Sequence, residues 1–230
     1  LGHRGVWWAE IETLGKIAHG SMPFDGDSAI RHMHALLDRF EKELYPILKS
    51  KKTDMPVVPD GAKESTLNIN SIHGGESEEF DGLPSPLVAD SCRIIIDRRF
   101  LIEERLEDVK KEVSSILEDL TTDREGFLFK LRDLFEVIPS LTPEEAPVVQ
   151  AVKRAVNEVM GSPPEMVVSP GTYDQKHIDR IGKLEDCIAY GPGILTLAHQ
   201  ADEYVNISDM IDSACVMGLA LDDLLHGKKK

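Results

Sequence analysis

The sequence predicts a chain of mixed α/β class made of two parts, and two observations lead to that class. Residues 5–138 alternate between strand-like and helical patterns, in the order strand, helix, strand, strand, helix, strand. Residues 139–230 contain long helical patterns but only two short strand-like segments. Because an independent sheet usually needs three or more strands, we expect the second part to belong to a larger α/β domain.

The four strands of the first part are predicted from alternating apolar positions rich in aromatic and β-branched residues. They cover Val6–Gly15, Thr66–Ile72, Ser91–Phe100 and Phe127–Ile138.

Two helices complete this part. Asp27 or Ser28 can cap the first helix, and its apolar stripe is predicted to be Ile30, Met33, Leu37, Phe40 and Leu44. The second is marked by Leu106, Val109, Val113, Ile116, Leu117 and Leu120. This order of elements is typical of a ferredoxin-like βαββαβ arrangement, an antiparallel sheet with two helices on one face.

In the second part, Thr142 and Pro143 predict a helix start, and Gly161 predicts its end. Short strands are predicted at 166–168 and 187–190. Ser208 is predicted to cap a final helix whose inward side chains are Ile211, Cys215, Leu219 and Leu225.

Composition excludes several classes of partner. The chain has 230 residues and a formal net charge of −15, which argues against nucleic acid and anionic membrane surfaces as partners. No stretch approaches the ~20 apolar residues of a membrane span, and no signal peptide is evident.

The start at Leu1, with a strand within five residues, is expected of the interior of a longer protein. Three widely spaced cysteines fit reduced thiols and a cytoplasmic location, and Cys187 and Cys215 are expected to be buried.

Two histidines stand out, and each also has an ordinary structural interpretation. His199 follows a Gly-Pro-Gly turn beyond a predicted strand, where ligand sites of α/β sheets cluster. One histidine does not supply the three ligands of a catalytic zinc. His19 lies in a loop with Ser21 and Asp25.

His32 and His34 point to different sides of a helix and are expected to be ordinary surface or half-buried residues.

Two further segments can bind anions. The first is Asp97-Arg98-Arg99, at the end of a predicted strand. Arg99 can hold a carboxylate bidentately, but the segment can equally be an exposed, charged strand end. The Gly171–Asp174 turn precedes a short helix, whose unpaired amides attract anions, although many turns match this pattern.

Four stretches together resemble the co-catalytic zinc amidohydrolases and peptidases, which include acetylornithine deacetylase, succinyl-diaminopimelate desuccinylase, aminoacylase and related carboxypeptidases. They are residues 5–30, the strand ending in Asp97-Arg98-Arg99, the turn Gly171-Thr172-Tyr173-Asp174, and the segment from Tyr190-Gly191-Pro192-Gly193 to His199 and Tyr204. They cover nearly the whole chain in the family's order.

The resemblance implies a ferredoxin-like lid and dimerisation domain at 5–138, followed at 139–230 by an incomplete α/β catalytic segment. It implies that His199 is a metal ligand and that His19 reaches into the partner subunit's site to stabilise the oxyanion. Arg99 would bind the substrate carboxylate, and Gly171, Thr172 and Asp174 would line the substrate pocket. Two zinc ions, a homodimer through the lid, and an N-acyl amino acid or small peptide as substrate follow from the same resemblance.

The departures from the family are equally specific. The family's other metal ligands and its glutamate base are not found in these residues, so we expect little or no activity from this chain alone. The family's Asn-Val-Ile-Pro stretch corresponds to 86–90, and its Ser-Asp-Gly-Arg to 173–176, so substrate anchoring differs. Two alternatives remain: a non-catalytic dimerisation or binding module, and a half-enzyme that complements a separate chain.

Overall fold

A computed structural model describes residues 1–76, 82–83 and 85–227. The strands are β1 Gly2–His3, β2 Gly5–Leu14, β3 Thr66–Gly74, β4 Ser91–Phe100, β5 Leu128–Val137, β6 Ser140–Leu141 and β7 Val168–Ser169. The helices are α1 Ala29–Arg39, α2 Tyr45–Ser50, α3 Leu106–Asp123, α4 Pro147–Met160, α5 Gln175–Arg180 and α6 Ile207–His226. Among the described residues, none of these helices is both long and apolar enough to cross a bilayer. The C-terminal lysine run, expected to be a solvated tail, lies outside the described residues.

The chain forms two compact units. The larger unit consists of residues 4–54 and 59–139, and the smaller unit of residues 1–3, 55–58 and 140–230. The predicted domain limits of 5–138 and 139–230 stay a prediction.

The larger unit has the predicted βαββαβ architecture. Its antiparallel sheet has the strand order β3-β4-β2-β5, so the first strand in sequence, β2, lies in the interior of the sheet. Alternation along β2 turns Trp7, Ala9, Ile11 and Thr13 into the core, while the intervening residues are only partly buried. The predicted fold class is therefore confirmed.

The buried stripe of the first helix differs from the predicted one. Leu36 and Leu48 are buried, whereas Ile30 is 46% exposed and Leu37 only partly buried. A π-helical segment, Phe40–Leu44, joins α1 to α2 just before Pro46. Proline has no N–H to donate to the carbonyl four residues earlier, and the π-helical turn at this point is wider than an α-helical one. The wider turn keeps Phe40, Leu44 and Leu48, which are four residues apart, on the same side of the helix.

The smaller unit has a sheet of three two-residue strands in the order β6-β1-β7. The predicted helix start at Thr142 is wrong, because α4 begins at Pro147. The Thr142 side chain is fully buried instead, and its hydroxyl contacts the carbonyl oxygens of Glu185 (2.8 Å) and Cys187 (2.5 Å). The predicted strand at 187–190 is also wrong, since Cys187 bonds to side chains rather than to a strand ladder.

The inward face of α6 was predicted wrongly as well. Ser213, Val216 and Ala220 are buried, against a face of α4 that includes Ala151 and Ala155. Small side chains allow α4 and α6 to approach closely, and this contact determines which face of α6 is buried. The four predicted inward residues are exposed instead, namely Ile211 (59%), Leu219 (37%), Leu225 (68%) and Cys215.

Candidate functional site

Arg99 lies on β4 in the larger unit and is partly exposed. Its Nε and Nη2 donate to the two carboxylate oxygens of Asp97, over 2.6 Å and 2.9 Å. This bidentate pair fixes the guanidinium plane and uses one of its edges. The structure therefore supports an oriented arginine at this strand end rather than a freely moving one.

Arg98, the preceding residue, belongs to a buried charge cluster that we define as Arg98, Lys51, Glu104 and Glu112. The Arg98 side chain is fully buried, and its Nη2 donates to Glu104 (2.9 Å) and Glu112 (3.1 Å). Lys51 contacts the same two carboxylates. Burial alone would raise the pKa of Glu104, but Arg98 and the hydrogen bonds from Lys51, Ser65 and the Leu101 amide together lower it.

His19 lies in an exposed loop of the same unit. Its backbone pairs with Leu87, and the Ser21 amide donates to its Nδ1 over 3.1 Å. Because Nδ1 accepts this bond, the neutral ring carries its proton on Nε2. The loop thus presents a histidine N–H donor at the protein surface.

His19 and Arg99 lie at opposite ends of the sheet. Arg99 pairs with Val6 near the start of β2, whereas the loop of His19 follows Leu14 at the end of that strand. Ten residues of strand separate these ends by about 30 Å at ~3.3 Å per residue. The two side chains of one chain therefore cannot contact the same small substrate.

The second anion-binding candidate, Gly171–Asp174, lies in the smaller unit. Gly171 and Thr172 are partly buried and Asp174 is exposed, immediately before α5. The Gly171 amide donates to the Ser169 hydroxyl over 3.1 Å, and the Asp174 carbonyl accepts from His177. The turn is therefore held at both of its ends by hydrogen bonds within the smaller unit.

His199 lies beyond the Gly-Pro-Gly turn, is exposed, and has a positive φ of 65°. Its amide donates to the Glu203 carboxylate over 3.2 Å. Ala198 and Glu203 line a cavity of about 410 Å³ together with Tyr173 and Tyr190. Tyr173 of the Gly171–Asp174 turn and two neighbours of His199 thus meet at one cavity, which we call the turn cavity. The predicted site residues Gly171, Thr172, Asp174 and His199 are not among the residues that line it.

The described residues bring few metal-binding side chains together. Within residues 1–76, 82–83 and 85–227, no three His, Cys, Asp or Glu side chains come together as ligands would. His199 by itself supplies one donor, so the described residues do not fit a complete metal site.

Sequence reasoning missed the environment of His32. This residue is 1% exposed; its Nε2 lies 2.8 Å from Asp27 Oδ2, and its Nδ1 accepts from Arg124 Nε over 2.7 Å. Arg124 is 92 residues away in sequence, so helical periodicity could not reveal the contact. The nearby Asp27 was the available signal, since it lies five residues before His32, just ahead of the helix.

Comparison with known proteins identifies the family. The model of the peptidase dimerisation domain of the M20 family matches residues 1–125, more than half of the chain. The chain belongs to this family. The M20 chain is 26% identical over 226 residues to an acetylornithine deacetylase from Myxococcus xanthus, covering 98% of this chain and 54% of that protein. It is 28% identical over 161 residues to a succinyl-diaminopimelate desuccinylase from Nitrosomonas europaea, covering 70% of this chain and 39% of that protein.

Solved structures show the same fold. A tripeptidase from Staphylococcus aureus matches with a TM-score of 0.71 at 19% identity, over 97% of this chain and 52% of that one. An M20 family metallo-carboxypeptidase from Sulfolobus solfataricus matches with a TM-score of 0.69 at 16% identity, over 96% and 58%. The M20 chain spans about half the length of the curated relatives it matches most extensively. It belongs to a hydrolase family whose metallohydrolase members imply a metal cofactor.

Proposed function

We propose that these residues form the lid and part of the catalytic domain of a metal-dependent amidohydrolase that cleaves the amide bond of an N-acyl amino acid or small peptide. The observation that carries this proposal is the turn cavity, where two motifs of the family meet although they are separated by more than a dozen residues. The names of the relatives, a deacetylase and a desuccinylase, support the substrate class.

Within this proposal, Arg99 binds the substrate carboxylate. Asp97 occupies the Nε and Nη2 edge of its guanidinium, which leaves Nη1 for the substrate. We assign Gly171, Thr172 and Asp174 to the substrate pocket, because the turn they form also contains Tyr173, which lines the turn cavity. The Nε2–H of His19 donates to the oxyanion as charge develops there, which is worth several kcal/mol when the donor is preorganised.

Zinc is the metal we propose, and His199 is the residue we assign to it. When bound, zinc polarises a carbonyl and lowers the pKa of bound water. Because the described residues form no three-ligand group, we assign the remaining ligands and the general base to polypeptide outside these residues. We also propose a cytoplasmic location, in keeping with three free cysteines.

We propose a homodimer through the lid, and the separation of His19 and Arg99 supports it. If both act on one substrate, they must come from different subunits, because about 30 Å separates them in one chain. The two open sheet edges are β3 and β5. β5 contains Lys130, Arg132 and Glu136, the kind of charges that discourage pairing, whereas β3 contains no charged residue apart from the titratable His73. We therefore assign the dimer interface to β3.

The rival function is a non-catalytic dimerisation or binding module, favoured by the complete four-stranded lid beside a single candidate metal ligand. A third possibility is a half-enzyme, which becomes active only when a separate chain supplies the remaining catalytic residues.

The deciding experiment mixes this chain with a polypeptide carrying the remaining catalytic residues and assays N-acetyl and N-succinyl amino acids and a tripeptide, with and without zinc. Zinc-dependent hydrolysis that appears only on mixing, and that His199→Ala abolishes, supports the enzyme. The control His34→Ala, at an exposed helix position, should hydrolyse normally. No hydrolysis in any mixture would leave the binding module as the function.

A further inference from the structure

The larger unit contains a cavity that the proposed reaction does not use. It has a volume of about 540 Å³, within the range of about 300–1,000 Å³ for small-molecule sites. We call it the lid cavity. Its polar and charged lining includes Asp27, Ser28, Arg31, Glu76 and Arg124.

Two of these side chains are held in place by a buried histidine. Arg124 Nε donates to Nδ1 of His32, so His32 is neutral with its proton on Nε2, which donates to Asp27 Oδ2 over 2.8 Å. His32 is packed edge-on against Phe127 and is 1% exposed. Arg124 and Asp27 therefore stand at fixed positions in the cavity wall, one cationic and one anionic.

Arg124 and Arg31 form no ion pair with a described residue. Within the part of the chain that the structure describes, neither has a carboxylate within 4.0 Å. Five other arginines have a carboxylate partner at 2.5 to 3.0 Å, namely Arg39, Arg98, Arg99, Arg132 and Arg154. In a chain with 41 acidic and 26 basic residues, two guanidinium groups on one cavity that lack a carboxylate partner are available to bind an anion from outside.

The acidic groups of the same cavity favour a ligand that carries a positive charge as well as a negative one. Asp27 keeps Oδ1 available after its bond to His32, and Glu76 adds a second carboxylate. These groups repel a phosphate or a dicarboxylate but accept an ammonium group. We propose that the lid cavity binds a free α-amino acid, with its carboxylate on Arg124 and Arg31 and its ammonium group on Asp27. This proposal does not depend on the proposed hydrolysis, since it needs neither metal nor the turn cavity.

The test measures binding to the 230-residue chain by the shift of its thermal unfolding midpoint with each of the twenty protein amino acids in turn, followed by calorimetry. We expect at least one amino acid to raise the midpoint. Arg124→Gln and Arg31→Gln should each weaken its binding by on the order of tenfold, since each removes a charge-assisted hydrogen bond. Arg31 is exposed and takes no part in the two hydrogen bonds of the His32 ring, so its replacement reports binding and leaves those bonds in place.

The control variant is Arg132→Gln, which lies on β5 and pairs with Glu10 outside the cavity. It should bind as the wild type does. Succinate lacks the amine and n-butylamine lacks the carboxylate, so both should bind at least tenfold more weakly. The proposal is overturned if no amino acid binds, if both glutamine variants bind normally, or if either control compound binds as well as the amino acids.

Discussion

Arg98 and Arg99 are consecutive residues of β4 whose side chains lie on opposite faces of the sheet. Arg98 is fully buried on the helix side with Glu104 and Glu112, whereas Arg99 is partly exposed on the other side with Asp97. Strand alternation alone places them so. One arginine therefore stabilises the fold, and the other remains available for a ligand.

Glu104→Gln should destabilise the larger unit. The substitution removes the charge that faces Arg98, which is fully buried, and breaking a buried ion pair from one side costs about 3–5 kcal/mol. The measurement is the free energy of unfolding in urea. Glu107→Gln, at an exposed residue in the first turn of α3, is the control and should change it by less than about 0.5 kcal/mol. Equal effects of the two variants would contradict the role of the cluster.

The same glutamate should contribute to acid sensitivity. Its pKa is lowered in the folded protein, so its stabilising contribution is fully present above the unfolded value of about 4.3 and is lost as the pH falls through the folded pKa. Stability measured between about pH 5 and pH 2 should therefore fall less steeply in Glu104→Gln than in the wild type. Parallel curves would show that another carboxylate controls this range.

Gly126→Ala should destabilise more than Gly161→Ala. Both glycines have a φ of 75°, which costs other residues roughly 1–2 kcal/mol. A Cβ at Gly161 meets nothing within 4 Å, but at Gly126 it would lie 2.4 Å from Asp27 Oδ2. The difference between the two thermal midpoints therefore measures the Asp27 contact, and equal midpoints would show that Asp27 moves aside freely.

Ile72→Lys should disrupt the proposed dimer. Ile72 is 58% exposed on the uncharged β3 edge, where a lysine from each subunit would come close together. Leu128→Lys, at a residue 61% exposed on β5, is the matched control. Light scattering at micromolar concentration should give a dimer for the wild type and the control and a monomer for Ile72→Lys. Dissociation of the control alone would move the interface to β5.

Zinc content should be low for this chain alone. One assigned ligand does not hold the metal, so dialysis against trace zinc and atomic absorption should find essentially none bound. About two zinc ions per chain, the number of a co-catalytic site, would show that a complete site forms from residues we have not assigned.

The sequence predicted the larger unit well because its signals are local. Trp7, Ala9 and Ile11 alternate along one strand, and strand alternation needs no knowledge of distant residues. The smaller unit was predicted poorly because its side chains find distant partners. Thr142 is held by Cys187, 45 residues away, and α6 is oriented by small residues of α4 rather than by its own large ones.

The candidate site divides in the same way. The turn of Gly171 and the segment of His199 were found as motifs, but their meeting at one cavity needed the fold. The bond between His32 and Arg124 was missed because nothing in the local pattern of either residue points to the other.

The exposed side of α6 sets how this chain behaves in solution. Large apolar side chains are open to water along the helix, namely Ile207, Met210, Ile211, Met217, Leu221, Leu224 and Leu225. The net charge of −15 opposes association through this apolar face at low ionic strength, but added salt screens that repulsion. Sulfate also strengthens apolar association. We therefore expect the solubility of this chain to fall as the salt concentration rises. Dilute buffers of low ionic strength should keep the chain in solution.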